Sequence, residues 1–144
     1  MFLTSAYAQN TSSSADRNTF LAGQIKDCPG CDLTDAQLQR RDLSGADLRG
    51  ANLSYASLHR ANLRNAKLEG ANLSGANLNK SNFQQANLTR ADLSNVLMYE
   101  ADFSAAKLDE AKIIDTRAQH ARLAQTSMKK AQLIGSLLRG TNLT

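Results

Sequence analysis

The 144-residue chain has no tryptophan, a single proline, three tyrosines and four phenylalanines, so a usual globular core built around large rings is not expected. No stretch approaches the roughly 18 consecutive apolar residues that a membrane-spanning helix needs. No run of like charges exceeds two residues. Lysine and arginine outnumber the acids by 17 to 13, a formal charge of +4 with a pI near 9.3, which gives only weak grounds for a nucleic-acid partner. No serine or cysteine nucleophile with a paired base, no phosphate-cradling glycine loop and no clustered carboxylate pair emerges. The chain is read as a non-enzyme without a cofactor.

What is present is a period of five. From Cys31 the chain divides into rows of five residues without an insertion, and the register holds to Thr144. The centre of each row is Leu33, Leu38, Leu43 and so on to Leu143. Phe83, Met98, Phe103, Ile113 and Met128 stand in for leucine, and only Ala118 is small. Two residues before each centre stands a second column, mostly alanine, with cysteine, serine, threonine, valine and Arg41 in its gaps.

A five-residue period fits neither regular element. Five helical steps of about 100° turn each leucine about 140° from the last, so no buried stripe results. In a straight strand, leucines five apart fall on opposite faces. The pattern is satisfied by a chain that bends every five residues and keeps each leucine and its small neighbour on the inside of a closed coil. Four sides need twenty residues per coil, and Cys31 to Thr144 then makes just under six coils. The end coils alone leave unpaired backbone groups.

The rows Ala46-Asp47-Leu48-Arg49-Gly50 and Ala51-Asn52-Leu53-Ser54-Tyr55, continuing to Ala91-Asp92-Leu93, resemble the pentapeptide-repeat family and its A-(D/N)-L-x-x motif. The resemblance covers about four-fifths of the chain. It implies an all-β, right-handed quadrilateral β-solenoid. Cys28-Pro29-Gly30-Cys31-Asp32-Leu33 also resembles the start of many exported bacterial members. After Val96 the pattern frays: Leu97, Lys107, Lys112, Arg117, Arg122 and Leu137 stand where the family prefers Asp or Asn, so coil regularity is in question there.

Three segments follow: a disordered tail over 1–15, an amino-terminal cap over 16–30 and the solenoid over 31–144. Asp16 or Asn18 is expected to cap a short helix running through Phe20, Leu21 and Ile25. Ala6-Tyr7-Ala8 has the small-residue pattern of a signal-peptidase site, although a basic n-region and most of an apolar h-region are missing. Either the chain starts inside a longer secretory signal or the tail carries the pattern by chance. The first reading makes the protein periplasmic or secreted, and the second leaves it cytoplasmic.

Cys28 and Cys31 bracket Pro29-Gly30, a type II turn pair that brings their Cα atoms within about 7 Å, so a disulfide is the favoured reading. Free packing thiols remain open, as does metal or redox chemistry, although a zinc site wants more ligands and a redox CxxC wants a βαβ context. His59 and His120 fall three coils apart, too far to share a metal. Arg40, Arg60 and Lys80 are expected to stack as a basic ladder on one face, with Glu100 in the next rung. Solvated, splayed side chains are the plainer reading of that ladder. Arg41, in the inward column, is expected to bend out or pair with Asp42. Leu97, Tyr99, Ile114, Ile134 and Leu137 lie in outward columns and mark an oligomer patch, with a homodimer through the C-terminal coils as the expectation.

The leading functional reading is an exported, non-catalytic scaffold with an unidentified protein partner. The alternative, implied by the resemblance, is a gyrase-binding DNA mimic of the quinolone-resistance type. Such mimicry needs an acidic rod, and here fifteen basic residues stand against eleven acidic from Cys31 onward. Direct nucleic-acid binding is disfavoured, because Tyr55 and Tyr99 are the only outward aromatics in the repeats, too few for a stacking platform.

Overall fold

In the computed structural model, which describes residues 14–142, every complete five-residue row from Cys31 except 111–115 and 131–135 ends in a tight turn, and every backbone bridge joins residues twenty positions apart. Asp32 pairs in parallel with Asn52, Asn52 with Asn72, and Asn72 with Asp92. Four corners per twenty residues make a four-sided β-solenoid. Its sides are numbered from Cys31 (side 1), Ala36 (side 2), Arg41 (side 3) and Ala46 (side 4).

Each side contributes mostly a single bridging residue, so among the described residues only two stretches form regular strands: β1, Lys112–Ile114, and β2, Gln132–Ile134, which are parallel neighbours. The row Ala51 to Tyr55 shows where all five N–H groups go. Ala51 closes the preceding turn on the Leu48 carbonyl (3.1 Å), and Asn52 reaches back to the Cys31 carbonyl (2.8 Å). Leu53 and Tyr55 reach forward to the carbonyls of Asn72 (2.6 Å) and Ser74 (2.9 Å). The fifth, on Ser54, faces no neighbouring coil carbonyl and donates to the side-chain Oδ1 of Asn52 (3.2 Å).

That last bond explains the Asp/Asn column. A short side-chain oxygen two residues back satisfies the N–H stranded at the bend, as in an Asx turn. Asp32, Asp42, Asn62, Asn72, Asp92 and Asp102 do the same. At two rows where the column loses its acids and amides, a side chain of the preceding coil takes over. Tyr99 N–H donates to Asn79 Oδ1 (2.8 Å) and Lys129 N–H to Asp109 Oδ1 (2.8 Å), each from the coil before. The coils therefore stay in register beyond Val96, and bridges continue to Leu137 and Asn142.

Non-glycine residues at the last position of each row, from Asp35 to Lys130, have φ between +51 and +60°, and glycines there are positive as well. This is the third position of a type II turn. For a non-glycine residue it costs on the order of 1 kcal/mol, offset by the ladder bonds on both sides. At Gly75 the absence of a side chain has a second use, since a Cβ would meet the Tyr55 ring at 2.6 Å.

The interior holds the leucine and alanine columns, nearly all fully buried. Each buried leucine contributes roughly 1.5–3 kcal/mol before ordering entropy. On side 3 the central column carries Phe83 and Phe103, whose rings stack face to face with centroids 4.7 Å apart and planes 1° apart. Hydroxyls in the alanine column bond a central carbonyl of the preceding coil: Thr116 to Leu93 (2.7 Å), Ser136 to Ile113 (2.6 Å) and Thr126 to Phe103 (3.0 Å).

The amino-terminal cap departs from expectation at several points. Helix α1, Ser14–Leu21, is already formed before Asp16 and ends before Ile25. Gly23, at φ +79°, ends it: Gly23 N–H donates to the Phe20 carbonyl and Gln24 N–H to the Thr19 carbonyl, the two bonds of a Schellman motif. Ladder bonds begin before Cys31, with Cys28 and Gly30 N–H donating to the carbonyls of Asp47 and Arg49 (both 2.8 Å). Residues 1–13 of the expected tail, with the Ala6-Tyr7-Ala8 pattern, lie outside the described residues, and Ser14 and Ala15 belong to α1.

Arg41 neither bends out nor pairs with Asp42. Its guanidinium lies 4.6 Å from the Phe20 ring centroid and donates to the carbonyls of Phe20 and Leu21. Asp42 is held instead by Lys26 at 2.9 Å. An arginine fits the small-residue column at this one place because a helix end supplies carbonyl acceptors and an aromatic face.

Candidate interaction surface

Apart from the exposed Tyr55, whose ring lies over Gly75, two features interrupt the polar regularity of the outer faces, and they adjoin. Side 2 carries Leu97, Tyr99 and Leu137, which are 36, 41 and 54% exposed, and the end of side 1 carries Ile134 at 60%. Ile114 differs from the expected patch: it is half-buried and paired in register with Ile134 on the next coil. Leu97 and Leu137 occupy one column with Arg117 bridged between them. Leu133 is also exposed, at 40%, although it belongs to the central column.

The second feature is a groove of about 380 Å³ at the corner between sides 2 and 3, lined by Lys80, Ser81, Asn82, Glu100, Asp102, His120 and Arg122. The corner places the last residue of each side 2 row beside the second residue of the next row. Rungs of the groove are therefore Lys80 with Asn82, Glu100 with Asp102, and His120 with Arg122. Consecutive rungs are about 4.8 Å apart along the rod.

Its ion pairs run along the rod and are loose. Lys80 Nζ lies 3.5 Å from Glu100, and Arg122 Nη1 lies 3.8 Å from Asp102. Asp102 is the more enclosed carboxylate. It accepts from the Ser104 backbone N–H (2.9 Å) and hydroxyl (2.6 Å) and from Gln84 Nε2 (2.8 Å). Burial alone raises its pKa, but the bonds from Ser104 and Gln84 and the nearby Arg122 charge outweigh burial and leave it lowered. Glu100 is lowered as well, chiefly by the hydrogen bond from Tyr99, with help from Lys80 and the charge of His120. Both groups are therefore carboxylates at neutral pH. The Tyr99 ring meets His120 edge-on at 5.6 Å, which joins the apolar patch to the groove.

Of the expected basic ladder, Lys80 faces Glu100, while Arg40 and Arg60 form no ion pair among the described residues. Asn82, Asp102 and Arg122 were missing from the sequence-based surface. They belong to the column that follows the basic ladder across the corner, and pairing those two columns row by row would have found them. Cys28 sits in the central column and Cys31 in the small-residue column. Both are buried, and they are joined as a disulfide with Cα atoms 5.4 Å apart. Among the described residues no group of histidines, cysteines and carboxylates is arranged to hold a metal ion.

A four-sided coil with alanine and leucine inside and Asx-capped bends outside defines a class, and comparison with known proteins agrees. Residues 31–70, 66–104 and 106–144 match the family described as pentapeptide repeats (8 copies). The chain belongs to the pentapeptide-repeat family. Among solved structures it is similar to the pentapeptide-repeat protein Rfr23 from the cyanobacterium Cyanothece 51142, with 22% identity over 91% of this chain and 100% of that one and a TM-score of 0.78. It also resembles a trypsin-treated variant of QnrB1, a plasmid-mediated fluoroquinolone resistance protein. There the identity is 18% over 82% of this chain and 61% of that one, with a TM-score of 0.65. At these identities the likeness is one of fold. No curated protein matches the chain in sequence.

Proposed function

We propose that this protein is a non-catalytic scaffold: a right-handed rod of just under six coils, exported to the periplasm or secreted, that binds an unidentified protein partner and pairs with a second copy through its C-terminal coils. The observation that carries this reading is the exposed apolar group Leu97, Tyr99, Ile134 and Leu137 on a rod whose outward positions are otherwise mostly polar. Exposed apolar side chains bordered by charged residues have the composition of a protein interface. The Cys28–Cys31 disulfide at the entrance of the solenoid suits an oxidising compartment.

A photo-crosslinking residue at Leu137, installed in the producing cell, tests this surface. The expected result is a set of discrete protein adducts at Leu137 that is absent when the probe stands at Ser44 on side 3, among Asp42, Asn62 and Arg64. Equal labelling at both positions, or none at either, would overturn the assignment.

The second reading is a gyrase-binding DNA mimic, supported by the likeness of fold to the QnrB1 variant. Duplex DNA carries one negative charge per about 1.7 Å of axis, whereas this rod has more bases than acids from Cys31 onward, so its electrostatics oppose mimicry.

A further inference from the structure

We propose that two copies of the chain lie side by side and antiparallel along the corner between sides 2 and 3, with the Glu100–Asp102 rung of each facing the His120–Arg122 rung of the other. This rests on the pairing with a second copy given above and specifies its face and direction.

The groove carries opposite charges on consecutive rungs, with two carboxylates on one and an arginine and a histidine on the next. A two-fold axis perpendicular to the rod and passing between these rungs sets acid against base twice. The same operation places Lys80 opposite Gly140, which carries no charge. An axis through either rung sets like against like, and so does a parallel pair in register. An axis between the Lys80 and Glu100 rungs sets Lys80 against Glu100 twice but also brings Arg60 against Arg122 twice. Among these registers, the antiparallel one between rungs Glu100 and His120 is the one in which opposite charges meet and no like charges do. Isologous pairing of this kind requires a self-complementary patch, and the alternation provides it.

Arg122, Lys80 and Glu100 have capacity left for a partner, while the more enclosed Asp102, already accepting from Ser104 and Gln84, contributes its charge. Arg122 stands 3.8 Å from Asp102, beyond hydrogen-bonding range, and its side chain is 69% exposed, leaving its donor fork available to a carboxylate across the interface. Lys80 and Glu100 are similarly loose and exposed. Tyr99 and Leu97, on the same rung as Glu100, extend the contact onto side 2 with apolar surface.

Charge reversal tests the register through rescue. One variant combines Glu100→Lys with Asp102→Asn, which retains the side-chain oxygen that caps the Ser104 N–H, and the other is Arg122→Glu. Sedimentation at micromolar concentration should show a dimer for the wild type and about a hundredfold weaker self-association for each variant, because each sets like charges together. An equimolar mixture of the two variants should restore the dimer, since a basic corner then meets an acidic one. Restoration also shows that both variants are folded. A monomeric wild type overturns both this geometry and the pairing reading beneath it. A wild-type dimer that survives both reversals but dissociates with Leu137→Ser overturns the corner geometry alone. Failure of the mixture to re-form a dimer likewise overturns it.

Discussion

Replacing Phe103 by alanine is expected to lower unfolding stability by about 3–5 kcal/mol, the range for removing a fully buried aromatic. Phe103 is fully buried, and its ring stacks on Phe83 at 4.7 Å in the central column of side 3. The hole cannot close easily. The coils on either side are pinned by bonds such as Phe83 N–H to the Asp102 carbonyl (2.6 Å) and Phe103 N–H to the Arg122 carbonyl (2.8 Å). Collapse would require several ladders to shift together. Phe103→Leu restores the residue usual in that column and should cost less than about 1.5 kcal/mol. Urea denaturation followed by circular dichroism distinguishes the two. An alanine variant no less stable than the leucine variant would show that the interior relaxes around a missing ring.

The second large effect is expected at Arg41. Arg41→Ala removes the donors that the Phe20 and Leu21 carbonyls use and the cation over the Phe20 ring. Hydrogen bonds from a charged donor contribute about 1.5–3 kcal/mol when partly buried, and the ring contact adds about 0.5–1 kcal/mol at a site still reached by solvent. The cap should loosen before the rod does. Hydrogen exchange is therefore the informative measurement, with faster exchange at the N–H groups of Ala22, Gly23 and Gln24 and unchanged protection at Leu63 and Leu68. Arg41→Lys keeps the charge but lacks the planar fork and should recover only part of the protection. Unchanged exchange at the helix end in Arg41→Ala would mean that α1 is held by Phe20 burial alone.

These two sites differ in how far they could be read from sequence. Phe103 was legible: five-residue spacing assigns it to the interior, and the bend every five residues follows from the failure of helix and strand periods. The role of the Asp/Asn column was visible only as a family preference, because the stranded N–H that explains it appears once the turn is formed. Arg41 was misread for a related reason. Its acceptors are carbonyls twenty residues earlier at the end of a helix, and no charge pattern announces a carbonyl. Ile114 looked outward by column and proved half-buried because Ile134 pairs above it. The groove was partly legible, since Lys80, Glu100 and His120 share a column, but Asp102 and Arg122 come beside them only across a corner. The serine and threonine gaps in the alanine column read as small-residue tolerance, whereas Thr116, Thr126 and Ser136 each bond a carbonyl of the preceding coil.

Compartment and thiol state test the proposed role most directly. The protein would be expressed from its native locus, the cells fractionated, and the intact mass measured with and without reduction. The expected result is a chain outside the cytoplasm, beginning at Gln9 and two hydrogens lighter before reduction, as the Cys28–Cys31 disulfide requires. A cytoplasmic chain that retains Met1 and carries free thiols would contradict the exported scaffold.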